Sequence, residues 1–306
     1  MSNHTKMCSI ATVALATGSL LLGSPSEATA ASRTVLAENF TATWCTYCPS
    51  VARALIDLDA DYDELIAFQC HGSDAYTYAF GNARLNFYGV TGFPNVWLDG
   101  TKNQAGSYSS DAANYSNLRS LMNQCLNVTS DTNVMVSGEV ISDDQYRISA
   151  DISIDGSGSG KTMKVYFLQS LDNYPTGNHY FNCLIQGSTQ TMSLGAGESD
   201  TISHTFTLSG ASLAAKEDTR YFVWMQQNTT SGPAQIYNAI NHDWGYEPST
   251  WTVGPDGDFS TIQAAIDGVN SGDTIEVAAG TYYERINFNG KNVHLIGVDG
   301  PEMTIL

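Results

Sequence analysis

The sequence predicts three consecutive folded segments of different class: an α/β layer fold, an all-β antiparallel sandwich, and a short segment that combines a helix with brief strands. Strand-like and helix-like stretches alternate over residues 33–128, which is typical of α/β folds. Over 133–244 the helical periodicity disappears, and short alternating strands lie between turn residues. Over 251–306 a short amphipathic helix precedes brief strands and turns.

The elements of the first segment follow from hydrophobic periodicity. An apolar run predicts a strand at its start, and helical spacing then predicts a helix that begins at Cys48. A last helix has one apolar stripe. Because Cys125 belongs to this stripe, we expect it to be packed in the core. The predicted elements are strand 34–39, helix 48–62, strands 65–70 and 95–98, and a helix with its stripe over 115–126.

The second and third segments are predicted from shorter patterns. Alternating apolar residues bounded by Gly, Ser, Asp and Asn predict the strands of the sandwich. In the third segment, apolar residues at helical spacing predict one helix before the strands. The predicted strands of the sandwich are 134–136, 146–152, 164–168, 203–208 and 221–225; the third segment has helix 259–269 and strands 274–277, 285–288 and 293–296.

Residues 1–30 are typical of a signal peptide. Lys6 supplies a positive charge, 10–23 form an apolar or small-residue core, and Ala28-Thr29-Ala30 matches a cleavage site. The core is shorter than the roughly 20 apolar residues of a membrane-spanning helix, so a cleaved signal is favoured over a membrane anchor. No later stretch of the sequence is long and apolar enough to span a bilayer. We therefore expect an exported protein that is periplasmic, outer-membrane-associated or extracellular.

Charge and motifs exclude several classes of function. The chain has 13 Lys and Arg against 31 Asp and Glu, a net charge of -18, so no basic surface is expected for nucleic acid. The sequence has no Gly-x-Gly-x-x-Gly motif after a strand and no phosphate-binding Gly-Lys-Ser/Thr motif, so no organic cofactor is predicted.

Cys45 and Cys48 lie at the predicted junction of a strand and a helix. The unpaired N–H groups and the positive dipole end of the helix stabilise a thiolate there. Thiols in such settings have pKa values of roughly 3.5 to 7.5 rather than about 8.5. Cys45 is therefore the predicted nucleophile, and Cys48, one turn away, is predicted to resolve the mixed disulfide. Pro49 is tolerated because the first turn of a helix has unpaired N–H groups.

Two structural interpretations of these cysteines remain as alternatives. A zinc site needs about four ligands, and Cys70-His71 is the only other adjacent candidate, so no metal site is predicted. A permanent structural disulfide would stabilise little because it closes a very short loop. Cys70, Cys125 and Cys183 complete an odd number of cysteines after the signal, and the sequence leaves their pairing open, including a Cys125–Cys183 bridge.

Trp44-Cys45-Thr46-Tyr47-Cys48 after an apolar strand resembles the redox site of thioredoxin, and the stretch from Tyr88 through Gly92-Phe93-Pro94 to Leu98 is similar to the segment that carries the cis-proline of that fold. The resemblance implies a thioredoxin-like domain over 33–128, with Pro94 in the cis form beside the cysteines. It also implies that the Phe93 backbone pairs with an extended substrate. The implied catalytic residues are Cys45, Cys48 and Pro94, and the implied substrate-binding residues are Trp44, Thr46, Tyr47 and Phe93.

One position departs from the thioredoxin pattern. That family has a buried Asp six residues before the first cysteine, where this chain has Asn39. Glu38 is expected on the opposite face of a regular strand. His71 and Asp74 follow the next predicted strand, in a loop that the fold could place near the cysteine pair; a solvated loop is the favoured interpretation.

Two further resemblances concern the rest of the chain. Together with the cysteine motif, stretches 182–187, 223–228 and 236–239 resemble the bacterial outer-membrane protein family of nominal size twenty-eight kilodaltons, which joins a thioredoxin-like domain to a β-domain. Stretch 258–266, with the turns and strands after it, resembles the start of a right-handed parallel β-helix as in pectin methylesterases. Because only one or two coils fit before Leu306, a truncated β-helix is expected.

The leading hypothesis is an exported thiol–disulfide oxidoreductase that acts on protein disulfides or dithiols. One alternative is a non-catalytic surface or adhesion protein, and another is a carbohydrate-active protein whose β-helix is cut short. In this last case Asp273 and Glu284 are interpreted as turn and surface residues. The expected partners are proteins with disulfides or dithiols, with an association at the cell surface and without nucleic acid.

Overall fold

The chain was analysed as a computed structural model that describes residues 33–177, 180–245, 249–269, 273–288, 293–300 and 303–305. The predicted signal peptide lies outside these residues. Among the helices of the described ranges, none has the length and apolar character needed to cross a membrane.

The first segment alternates strands and helices much as its periodicity predicts. Helix α1 begins at Cys48 with Pro49 in its first turn, and the Ser110 side chain accepts a hydrogen bond from Ala113 N at the start of α3. Helix α2 was not predicted from the sequence; it ends at Gly89, whose φ of 64° favours glycine. The elements are β1 (Val35–Thr41), α1 (Cys48–Asp61), β2 (Leu65–His71), α2 (Ala79–Tyr88), β3 (Asn95–Leu98), β4 (Lys102–Ala105) and α3 (Asp111–Leu126).

The second segment is built of long strands, and each predicted strand lies within or largely overlaps one of them. Short helical turns interrupt it only between β9 and β10. The elements are β5 (Thr132–Ser142), β6 (Gln145–Ile154), β7 (Lys161–Leu171), β8 (Cys183–Leu194), β9 (Ser199–Thr207), α4 (Ala211–Ala214), a 3₁₀ turn (Lys216–Asp218), β10 (Thr219–Gln227) and β11 (Ile236–Asp243).

The third segment contains two small parallel sheets. One has the order β12-β13-β15 and the other pairs β14 with β16. The strands are parallel, but in the described ranges they number three and two, and a β-helix is not shown. Asp273 is buried and accepts hydrogen bonds from Ser249 N and Trp251 Nε1, so it is not the surface residue that was expected. The elements are β12 (Thr250–Val253), α5 (Ile262–Gly268), β13 (Thr274–Val277), β14 (Gly280–Thr281), β15 (His294–Gly297) and β16 (Thr304–Ile305).

The predicted fold class is wrong. The sequence predicts an α/β thioredoxin-like domain, then a separate all-β antiparallel sandwich, then a right-handed parallel β-helix. The described residues are mostly β, with only about 21% of them in helices, and one mixed sheet of eight strands runs through the first two segments in the order β11-β10-β7-β8-β2-β1-β3-β4. The two segments join where β2 pairs in parallel with β8 at Gln69 and Cys183, and Gln69 N donates to Asn182 O at 3.1 Å.

Burial of apolar side chains explains why the sheet is continuous. On one face of β1 and β2, side chains such as Val35 and Ala67 pack against α1 and α3. On the other face, Phe68 packs with Phe222 and Trp224 of β10 in a core that both segments share. Separating the segments would expose these rings to water, which is unfavourable at about 25 cal/mol per Å² of apolar surface. The boundaries of the three segments, 33–128, 133–244 and 251–306, stay predictions.

The strands β5, β6 and β9 form a second, antiparallel sheet that packs on the large one. Side chains from β6, such as Tyr146 and Ile148, share a core with Phe167 of β7 and Val223 of β10. The two sheets therefore share a core, and the larger of them also extends across the cysteine-containing segment.

Candidate functional site

The loop between β1 and α1 carries a disulfide between Cys45 and Cys48. Their Cα atoms are 5.5 Å apart, within the ordinary range for disulfides. Cys45 N donates to Ala42 O at 3.1 Å, which closes a turn directly before the cysteines. Cys45 is 8% exposed and Cys48 is 3% exposed, so Cys45 is the more accessible of the two.

The disulfide lies at the N-terminal end of α1. Tyr47 is the residue before the helix, and its side chain makes no capping hydrogen bond. The Tyr47 side chain therefore does not accept from the N–H groups of the first turn, Cys48 N donates to Cys45 O at 3.4 Å, and the positive end of the helix dipole faces the loop that contains Cys45. This position was predicted from the sequence.

Phe93 approaches the disulfide from the segment before β3, and Pro94 follows it in the chain. Phe93 packs against the apolar cluster of Ala42, Cys45 and Cys48, and the Phe93–Pro94 peptide bond is cis. Pro94 is buried. The structure thus brings Phe93 to the cysteines and has the cis bond that the resemblance implies.

An exposed aromatic rim borders the disulfide. Trp44 is 61% exposed and Tyr47 is 69% exposed, and Thr46 between the cysteines is exposed as well. The Trp44 and Phe93 rings lie 5.9 Å apart at a tilt of 58°. Large exposed aromatic side chains are typical of surfaces that bind another chain.

A second loop, after β2, also contacts this site, as in the less favoured of the two interpretations that the sequence allowed. Thr43 N donates to Asp74 Oδ2 at 2.7 Å, and Trp44 Nε1 donates to the Ser73 carbonyl at 3.1 Å. The His71 and Asp74 side chains are only 1% and 4% exposed, so the interpretation as a solvated loop is wrong for them. A His and an Asp three residues apart after a predicted strand were the only signal in the sequence.

Hydrogen bonds keep Asp74 ionised. Burial alone would raise its pKa, but bonds from His71 Nδ1 at 2.8 Å, Thr43 N and Tyr76 N bring the pKa below its ordinary value. A carboxylate that accepts several hydrogen bonds is stabilised in its charged form.

Among the described residues, the other three cysteines, Cys70, Cys125 and Cys183, are buried free thiols. The Cys183 Sγ lies 3.5 Å from Gln69 Oε1 and 3.7 Å from His71 Nε2. Burial raises the pKa of Cys70 and Cys183 well above the ordinary value, and raises that of Cys125 to about 12. A bridge between Cys125 and Cys183, which the sequence left open, is not formed.

In the described parts of the chain, no group of three or more His, Cys, Asp or Glu side chains is arranged to hold a metal ion.

No protein-family model matches this chain, and no curated protein matches it. Solved structures, in contrast, do match this chain. HBP35 of Porphyromonas gingivalis aligns with a TM-score of 0.55 at 19% identity, over 69% of this chain and 75% of that one. The similarity to HBP35 shows a shared fold.

Two further structures align less well. A domain of the outer membrane lipoprotein Omp28 from Porphyromonas gingivalis has a TM-score of 0.25 at 13% identity, over 37% of this chain and 88% of that one. A β-glucosidase from Kluyveromyces marxianus has a TM-score of 0.24 at 16% identity, over 38% of this chain and 14% of that one. At these scores neither alignment carries an argument about this chain.

Proposed function

We propose that this chain is an exported thiol–disulfide oxidoreductase that acts on protein disulfides or dithiols through Cys45 and Cys48. The observation that carries the proposal is the disulfide at the N-terminus of α1, where the Tyr47 side chain makes no capping hydrogen bond, next to an exposed aromatic rim. A helix N-terminus stabilises the thiolate that must attack or leave in disulfide exchange.

The short loop of the disulfide argues against a purely structural role. The cysteines are three residues apart in sequence. Closing so short a loop removes little conformational entropy from the unfolded chain, so the bond adds little to stability. Among the described cysteines Cys45 is the most exposed, at 8%, whereas the free thiols are exposed by 2% or less, which favours Cys45 as the attacking cysteine.

In the reducing direction, the Cys45 thiolate attacks one sulfur of a substrate disulfide. A mixed disulfide forms, and the second substrate sulfur leaves as a thiolate that takes up a proton. The Cys48 sulfur then loses its proton and attacks Cys45 Sγ. The Cys45–Cys48 disulfide forms, the substrate leaves as a dithiol, and two electrons have passed from the protein to the substrate. The oxidising direction reverses these steps.

The surrounding residues are proposed to bind the partner chain. The Trp44 and Tyr47 side chains, with Thr46 between the cysteines, present the exposed surface that a partner would cover. Phe93 and Pro94 are proposed to form the wall along which an extended substrate segment lies, since Phe93 packs against the cysteines.

Export is part of the proposal. Disulfides persist in oxidising compartments, which agrees with the signal-like residues at the start of the sequence. The protein is proposed to work in the periplasm, at the outer membrane or outside the cell, on protein partners rather than nucleic acid.

Reduction of insulin with dithiothreitol as the electron source tests the proposal. The chain should accelerate the turbidity that reduced insulin chains produce, and Cys45→Ser should abolish the acceleration. Cys125→Ser is the matched control, because Cys125 is a buried thiol next to Asp99 and distant in sequence from the disulfide. Activity that Cys45→Ser leaves unchanged would refute the assignment.

A further inference from the structure

The three residues that follow β2 contact each part of the disulfide site. Gly72 lies so close to Phe93 that a Cβ there would be 2.4 Å from the Phe93 Cζ atom. The Ser73 carbonyl accepts the indole N–H of Trp44, and Asp74 accepts the peptide N–H of Thr43. Phe93, Trp44 and the loop before Cys45 are thus all contacted by one short segment.

Asp74 is the charged member of this segment. Its Oδ2 atom accepts from Thr43 N at 2.7 Å and from His71 Nδ1 at 2.8 Å, and its Oδ1 atom accepts from Tyr76 N at 2.9 Å. Since these bonds use both oxygens, the carboxylate has one orientation. It binds the backbone two residues before Cys45.

His71 is fixed in turn. An ionised carboxylate can only accept hydrogen bonds, so Nδ1 of His71 carries the proton in its bond to Asp74. Nε2 faces the Cys183 thiol at 3.7 Å, and the imidazole ring lies edge-on to Tyr180 with centroids 4.9 Å apart. The ring therefore cannot turn away from Asp74 without losing these contacts.

We propose that Asp74, held by His71, is a positioning residue that fixes the Thr43–Cys45 loop and whose charge favours the disulfide over the dithiol form of Cys45 and Cys48. This inference rests on the proposed function for its biological meaning. Reduction creates a thiolate at Cys45, and the negative carboxylate that binds the backbone two residues before Cys45 repels it. The hydrogen bond to Thr43 holds the loop in the disulfide form.

Two substitutions separate the effect of the Asp74 charge from that of its hydrogen bond with Thr43 N. Asp74→Asn keeps an oxygen that can accept from Thr43 N but removes the charge. Asp74→Ala removes both. Asp144→Asn is the control, because Asp144 is an exposed carboxylate in the β5–β6 turn that accepts a similar bond from Ser142.

The experiment equilibrates the full chain in glutathione redox buffers and measures the dithiol fraction by alkylation and mass spectrometry. Asp74→Asn should shift the equilibrium toward the dithiol by about tenfold, which is about 30 mV for a two-electron couple. Asp144→Asn should match the unsubstituted chain. In addition, Asp74→Ala should raise KM for insulin more than it lowers kcat, because the rim that binds the partner is no longer held.

The inference is overturned if Asp74→Asn leaves the dithiol–disulfide equilibrium of Cys45 and Cys48 unchanged or moves it toward the disulfide. If Asp74→Ala does not fold, the redox equilibrium of Asp74→Asn still tests the effect of the charge. The glutathione equilibrium needs no protein substrate, so its outcome is independent of the insulin assay. If the chain does not reduce insulin but Asp74→Asn still shifts the glutathione equilibrium toward the dithiol, the proposed function is refuted. This inference about Asp74 is then still supported.

Discussion

Glu38 on β1 and Arg84 on α2 form a buried ion pair with two hydrogen bonds, Arg84 Nε to Glu38 Oε2 at 2.7 Å and Arg84 Nη2 to Glu38 Oε1 at 2.6 Å. The Tyr88 hydroxyl donates to the same carboxylate at 2.5 Å, and the guanidinium lies 4.7 Å from the ring centroid of Tyr166 on β7. Glu38 therefore faces away from Cys48, as the strand alternation predicted. Because Arg84 also lies against Tyr166, its guanidinium links the first segment to the second.

Arg84→Met should strongly destabilise the protein. It leaves the Glu38 carboxylate buried without its counter-charge, and removing one partner of a buried ion pair costs about 3–5 kcal/mol. Urea unfolding followed by circular dichroism would measure the loss of free energy of unfolding.

The double variant Arg84→Met with Glu38→Gln provides the control for that prediction. It removes both charges, so its loss should be clearly smaller than the sum of the two single losses. Additive losses would contradict a direct interaction between the two side chains.

Gly72→Ala should disturb the disulfide site. Because a Cβ at residue 72 would lie 2.4 Å from the Phe93 ring, the ring must move, at a cost of about 1–3 kcal/mol for an overpacked contact. We expect lower stability and a lower kcat/KM for insulin. Gly92→Ala is the matched control, since a Cβ there meets no atom within 4 Å. Equal effects of the two substitutions would rule out the Phe93 contact as the cause.

Cys48→Ser should trap a substrate. Without the resolving sulfur, the mixed disulfide between Cys45 and a partner persists. Non-reducing electrophoresis after incubation with oxidised insulin should show a covalent adduct, and mass spectrometry should locate it at Cys45. Cys45→Ser should give much less adduct. An adduct located at Cys70 or Cys183 would contradict the assigned nucleophile.

His242 should make the protein less stable as the pH falls from 7 to 5. Burial lowers the pKa of this ring to about 4 from an ordinary value of 6.5, and its Nε2 atom lies 2.9 Å from the Tyr146 hydroxyl. The folded state therefore binds fewer protons than the unfolded state between these pKa values, and stability is lost as the pH falls through that window. The expected loss from this residue at pH 5 is about 2 kcal/mol relative to pH 7.

Urea unfolding of the original chain and of His242→Gln at both pH values isolates this effect. Asp99 acts in the opposite direction, because burial raises its pKa to about 6 and stability then rises as the pH falls through that value. That contribution is common to both proteins and cancels in the comparison. The same pH dependence in both would show that His242 is not responsible.

Much of the local structure could be predicted from the sequence. The strand before Cys45, the helix that begins at Cys48 and the last helix of the first segment lie close to their predicted positions. Helix α2 was missed, because its polar and aromatic residues follow no clear apolar stripe; its side chains are ordered by contacts such as those of Arg84 with Glu38. For the loop with Asp74, the sequence allowed a position near the cysteine pair but favoured a solvated loop, because two polar residues after a strand are typical of both.

The sequence alone determined the features that depend on a few neighbouring residues: the spacing of Cys45 and Cys48, the helix start that Pro49 allows, and the turn chemistry between strands. Only the tertiary structure decided that β2 pairs with β8 through Gln69 and Cys183, 114 residues apart, and that Asp74 lies against Thr43. Local conformation follows from steric limits and hydrogen bonds within one turn of chain. Pairing across the sheet is selected by which apolar faces can be buried together, and that depends on residues far apart in the sequence.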